Sequence, residues 1–265
     1  MLTNREIIHY YALKHKGDWD KIYDSIIEKD KVDEDEYKCL CSNQTKYLTI
    51  LDNDYPDSLK RIFHPPFCLF YYGDISLLKS NLRISSIGTR TPTKYQNQYT
   101  YKLLYEVEEF FKSKVAIISG LAKGLDLTSM LAGMNTKSPL IGVLGNGIDV
   151  IYPKESTEIY NYCKSKKGLL LSEYPSNTSP THDSFIKRNR IIASLSEILF
   201  VGGGKNKSGS STTVRFALDN NKEIMALPCN NTGDDLTNTL ISEGAELVLS
   251  SQDLISRIKE IYNFS

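Results

Sequence analysis

The chain of 265 residues is short of the side chains that most catalytic sites are built from. Its four histidines, His9, His15, His64 and His182, lie far apart, and only His182 falls in a candidate loop region, where a surface role outweighs that of a general base. No H-E-x-x-H, nucleophile elbow or paired C-x-x-C motif is present, which removes the commonest routes to metal, serine and dithiol chemistry. The five cysteines, Cys39, Cys41, Cys68, Cys163 and Cys229, are odd in number and scattered. They form no disulfide framework, fit a reducing compartment, and serve as packing residues, with Cys39-x-Cys41 lacking the second ligand pair a zinc site needs.

An excess of one charge is missing as well. Lys plus Arg and Asp plus Glu both number 32, so no blanket attraction draws the chain to polyanions and any nucleic-acid site must be a local patch. Residues 1–40 hold seven Lys/Arg against ten Asp/Glu, leaving 25 against 22 for the remainder. No run of eighteen apolar residues offers a membrane span, and the charged, amphipathic start lacks the apolar core of a secretory signal, so a cytoplasmic protein is expected. A hydrophobic fraction of 40% with 24% charged residues suffices for one large α/β domain with a core.

The apolar spacing over 3–29, broken at Gly17-Asp18, predicts two short helices, and the acidic stretch 30–36 reads as a solvated connection. After Leu82 a regular rhythm begins: ISSIG (84–88), VAIISG (115–120), LIGVLG (140–145), LLLSE (169–173), ILFVG (198–202) and EIMALP (223–228) alternate with segments of helical length. Nearly continuous apolar strands between helices imply a parallel sheet covered on both faces, hence a doubly wound, Rossmann-like α/β fold. The division expected is a small helical N-terminal region over 1–45 and an extended Rossmann-like domain over 46–265, closing on an apolar-periodic helix at 253–264.

In such sheets ligands bind beyond the carboxyl ends of the strands. The residues there include Gly88-Thr89-Arg90, Ser119-Gly120 with Lys123 and Gly124, and the long turn from Gly202 through Gly203, Gly204, Lys205, Lys207, Ser208, Gly209 and Ser210. Glycines permit close backbone approach, and the hydroxyls can cap helices or donate to phosphate oxygens, so these turns together form a candidate phosphate cradle. The long turn is not a Walker A loop, because Asn206 follows Gly204-Lys205, and Gly145-x-Gly147 lacks the third glycine of a dinucleotide fingerprint. The block Lys187-Arg188-Asn189-Arg190 is read as lying at a helix N-terminus, where cations oppose the macrodipole unless an external anion sits between them and the amides. Tyr95, Tyr99, Tyr152 and Phe185 lie near these loops and are expected to pack rather than stack on a ligand.

In order, GTRTPTKY (88–95), SGLAKGLD (119–126), GVLGNGIDVIYP (142–153), LLSEYP (170–175), FIKRNRIIASLS (185–196), SGSSTT (208–213), EIMALP (223–228) and NTLISEGAELV (238–248) resemble the DNA-processing protein A family, DprA or Smf. The lead-in YLTILDNDYPDSLKRIFHPPFCLFYYGD (47–74) is similar too. The resemblance implies a cytoplasmic, dimeric, extended Rossmann protein that binds single-stranded DNA and helps the RecA recombinase load in natural transformation, with no catalysis and no cofactor or metal. It maps the family's basic pocket onto Arg90, Lys187, Arg188 and Arg190, and the reading of the loops adds Lys123. Met130, Gly203 and Cys229 depart from the family's usual histidine, acid and glycine, and the winged-helix module of some members is expected to be missing. Two rivals stand beside this reading: a nucleotide or phosphoribosyl hydrolase, whose glycine-rich loop VGGGKNKSGSSTT echoes, and an interaction protein with a vestigial pocket.

Overall fold

The computed structural model describes residues 2–41, 45–79, 82–230, 233 and 235–263. Three helices, α1 (Asn4–Lys14), α2 (Trp19–Ile27) and α3 (Glu34–Leu40), precede β1 (Lys46–Thr49), the single turn α4 (Asp57–Lys60) and β2 (Cys68–Gly73). The alternating part runs β3 (Arg83–Ile87), α5 (Lys94–Phe110), β4 (Ala116–Ser119), α6 (Leu125–Asn135), β5 (Leu140–Leu144), α7 (Thr157–Lys164) and β6 (Gly168–Ser172). It continues through α8 (His182–Ser194), β7 (Ile198–Val201), α9 (Gly209–Asp219), β8 (Glu223–Ala226), α10 (Leu236–Ser242), β9 (Glu246–Leu247) and α11 (Ser251–Ile261).

The strands form a nine-stranded sheet in the order β1-β2-β6-β5-β4-β3-β7-β8-β9. Pairing from β6 to β9 is parallel, while β2 joins β6 and β1 joins β2 antiparallel. Strand residues alternate between the two faces as the pleat requires: Ile198 and Phe200 of β7 enter one apolar cluster, Leu199 and Val201 the other. Both faces are covered, which is why these strands are apolar throughout and legible as such. Ile8, Tyr10, Tyr11 and Ala12 of α1 belong to the same cluster as Phe70 and Leu170, so the N-terminal helices pack on the sheet's face at its antiparallel end. Cys39, Cys41, Cys68 and Cys163 are in no disulfide, and the last two are buried. Among the described residues no helix is long and apolar enough to cross a membrane.

Some elements differ from expectation. The acidic stretch 30–36 is not wholly a connection, because Asp33 accepts hydrogen bonds from the Asp35 and Glu36 amides (2.9 and 3.0 Å) and starts α3. Here the acids sit in a first turn, where the helix dipole favours them. Strand β9 was hidden in a polar segment. The last helix spans Ser251–Ile261, and Phe264 lies outside the described residues.

From β3 the chain adds β4, β5 and β6 on one side, then crosses back to place β7, β8 and β9 on the other. The order therefore reverses between β3 and β7, and a crevice opens beyond their carboxyl ends.

Candidate nucleic-acid interface

The loops after β3, β4 and β7 meet at this crevice and, with α8, enclose an open cavity of about 540 Å³. The loop after β3 is locked to the start of α6: the Leu125 amide donates to the Thr89 carbonyl at 3.1 Å, and Gly124 lies at φ 81. A Cβ on Gly124 would strike that same carbonyl, so only glycine lets the two loops touch.

Arg90, Lys205 and Lys207 line the cavity, are exposed, and pair with no carboxylate among the described residues. Directly after Lys207, Ser208 caps α9 in a reciprocal box with Ser211, and the first turn of that helix lines the cavity through Gly209 and Ser210. Leading N–H groups of a helix lack i−4 carbonyls and carry partial positive charge, so this turn suits an anion. Among the described residues, four cationic side chains, counting Arg188, and one carboxylate, Asp126, thus line the cavity.

Arg188 and Asp126 form the floor. Arg188 is 3% exposed, donates from Nη1 to the carbonyls of Gly120 (2.8 Å) and Val143, and so ties the ends of β4 and β5 to α8. A Cβ on Gly120 would lie 2.5 Å from the guanidinium, so that glycine admits the arginine. Asp126 accepts from the amides of Gly120 (3.2 Å) and Ala122 (3.4 Å). Burial draws the Arg188 guanidinium down to about 10, with Asp126 opposing. Burial likewise pushes the Asp126 carboxyl up, and Arg188 with the backbone amides opposes.

The basic block does not converge as the sequence suggested. Helix α8 starts at His182 after a Thr181–Ser184 capping box, so residues 187–190 occupy its interior turns rather than its N-terminus. The argument from an opposing dipole therefore fails for them. At 100° per residue the block also splits between faces. Arg188 and Asn189 reach the cavity, whereas Arg190 is 6% exposed and forks onto Glu173 at 2.6 and 2.5 Å on the other side. Burial lowers the Arg190 guanidinium, but the charge and hydrogen bonds of Glu173 outweigh it, so the net shift is upward. Lys187 lies 3.9 Å from Asp20 of α2, and Lys123 pairs at 2.6 Å with Glu155 on the surface.

Of the phosphate-loop candidates, Gly88, Thr89, Gly204, Ser208, Gly209 and Ser210 line the cavity. Ser119 does not: it is fully buried and donates to the Ser86 carbonyl at 2.6 Å, holding β4 to β3. Gly203 packs beneath Gln96 and does not line the cavity either.

Aromatic side chains near the cavity pack on one another and beside its arginines. The Phe185 ring has the Arg90 guanidinium at 5.8 Å and that of Arg188 at 6.0 Å. Tyr152 stacks on it at 5.6 Å and is 50% exposed. The signal available was the i, i+3 spacing of Phe185 and Arg188, which puts both on one helix face. Among the described residues no group of His, Cys, Asp and Glu is placed to hold a metal ion.

Residues 46–259 match the family described as DNA recombination-mediator protein A. The chain is 37% identical over 217 residues to the DNA processing protein DprA of Bacillus subtilis, covering 80% of this chain and 71% of that one. The solved structure of DNA processing protein A from Streptococcus pneumoniae matches with a TM-score of 0.79 and 30% identity, over 96% of this chain and 93% of that one. The DNA processing protein A of Helicobacter pylori, whose structure bears on its single-stranded DNA binding mode, matches with a TM-score of 0.73 and 29% identity, over 82% and 98%.

Proposed function

This chain belongs to the DNA recombination-mediator protein A family, and on that premise we propose that it binds single-stranded DNA through the crevice between β3 and β7. The observation that carries the reading is the group of three exposed, unpaired cations, Arg90, Lys205 and Lys207, set around the first turn of α9. Arg90 forks onto a phosphate, the two lysines add point charge, and the α9 amides with the Ser208–Ser210 turn take a second oxygen. Arg188 holds the loops in register and presents its charge from beneath. Phosphate contacts of this kind carry little sequence preference.

Sequence-independent binding suits a mediator that hands DNA to a recombinase. RecA as partner, a homodimer, action in natural transformation and a cytoplasmic location belong to the same proposal, and their support is the family. Binding without turnover is also part of it. The rival hydrolase needs an acid or base held rigidly over the cavity; Asp126, the one carboxylate lining it among the described residues, already accepts from two backbone amides, and His182, which also lines it, stands exposed at the start of α8.

Two assays test this. Fluorescence anisotropy of a labelled single strand should show binding that weakens steeply with salt. Nucleoside monophosphates should yield no free base on incubation with the protein. Base release without strand binding would favour the hydrolase.

A further inference from the structure

The face of α8 turned away from the cavity supports a loop with an uncommon construction. Three successive carbonyls, those of His64, Pro65 and Pro66, accept hydrogen bonds from Arg190 Nε (2.8 Å), Trp19 Nε1 (2.8 Å) and the Tyr55 hydroxyl (2.7 Å). The donors come from α8, α2 and the segment before α4, so the loop is clamped from three directions. His64 adopts φ 54, a left-handed conformation that is uncommon outside glycine and that histidine takes more readily than most side chains.

What the clamp displays is a ladder of rings. Tyr23 and Trp19 stack at 5.1 Å and 11°, Trp19 and His64 at 4.0 Å and 14°, and His64 and Phe63 at 3.8 Å and 22°. The ladder ends on Phe63, which is 77% exposed. Leaving a phenylalanine that open gains folding almost nothing, while fixing its loop in advance removes the ordering cost of a binding event. One cation stands nearby in the chain: Arg61, two residues before Phe63, is exposed without an ion pair among the described residues, whereas Lys187 is already beside Asp20. A flat ring at the end of a parallel stack, close to positive charge, suits a planar base on a phosphate chain.

We propose that Phe63 and the Trp19–His64 stack behind it are a base-stacking subsite for the strand whose phosphates occupy the β3–β7 crevice. The two sites lie on opposite faces of α8, with Arg190 joining the His64 loop to that helix. A strand leaving the crevice reaches the ladder only by passing around α8, so the subsite engages long strands and not short ones. This inference rests on the function proposed above.

Trp19 is the sole tryptophan and sits inside the ladder, which supplies the probe. Labelled oligonucleotides of about 3 and about 12 thymidines are titrated, following anisotropy of the label and Trp19 emission together. The long strand should quench Trp19 in step with binding, and the short one should bind without quenching. Phe63→Ala should weaken the long strand about 5-fold or more and leave the short one unchanged, with Phe63→Tyr restoring it. Long-strand binding with unaltered Trp19 emission overturns the subsite. Emission that shifts with protein concentration in the absence of DNA overturns it too, by assigning the ladder to contact with a second copy. Anisotropy that never rises instead sinks the DNA reading itself, and the subsite with it.

Discussion

Arg188 and Arg190 are two positions apart and do different work. Arg190 and Glu173 are each 6% exposed and bond only at the cost of their hydration, so the pair adds little net stability while intact. Removing one partner strands the other as a buried charge. Glu173→Ala should therefore lower stability by about 3–5 kcal/mol in chemical denaturation and leave strand affinity of the folded protein unchanged. Arg188→Lys should behave otherwise: the compact ammonium keeps the charge but cannot span the Gly120 and Val143 carbonyls, so affinity and melting temperature should fall together. A sequence shows four basic or amide side chains in a row; only the starting residue of the helix decides which of them face one another.

At the scale of elements, Gly124 joins α6 to the turn that carries Arg90. Its φ of 81 and the Thr89 carbonyl leave no room for a methyl group, so Gly124→Ala should cost about 1–3 kcal/mol and weaken strand binding by displacing the turn. Six parallel strands, the two leading helices and the turns at the strand ends were legible, because a sheet covered on both faces needs unbroken apolar runs and its switch point needs glycine. Strand β9, with two residues and a polar context, gave no such signal. The onset of α8 was hidden because its cap is Thr181 with Ser184 rather than with an acid, and the basic run drew the boundary toward itself. Tyr152 packs on Phe185, yet its half exposure was not legible, because aromatic content near a loop does not reveal how a neighbour fills the space below.

For the molecule as a whole, one buried acid on α5, away from the crevice, should leave its own mark on the response to pH. Glu108 of α5 is fully buried and accepts from Ser138 Oγ at 2.7 Å; burial raises its carboxyl to about 8, outweighing that hydrogen bond. Its folded value exceeds its unfolded value, so the protonated form favours folding. The stabilisation is complete below about pH 4.5 and lost as pH rises through about 8. The unfolding free energy should fall over that window by an amount on the order of a few kcal/mol, and Glu108→Gln should remove that part of the profile. The same sheet that buries this acid opens at its rim to charge, and that contrast lets a chain of zero net charge hold a polyanion at one place.

The central claim is that exposed cations at the β3–β7 switch point neutralise phosphates of a single strand. It is tested most directly by the slope of log affinity against log salt for the wild type and for Arg90→Ala, after circular dichroism has shown both to be folded. The account predicts that the variant binds more weakly to every sequence and that its slope is shallower by about 0.7, the loss of one phosphate contact. Equal affinity and equal slope in the two proteins would contradict it.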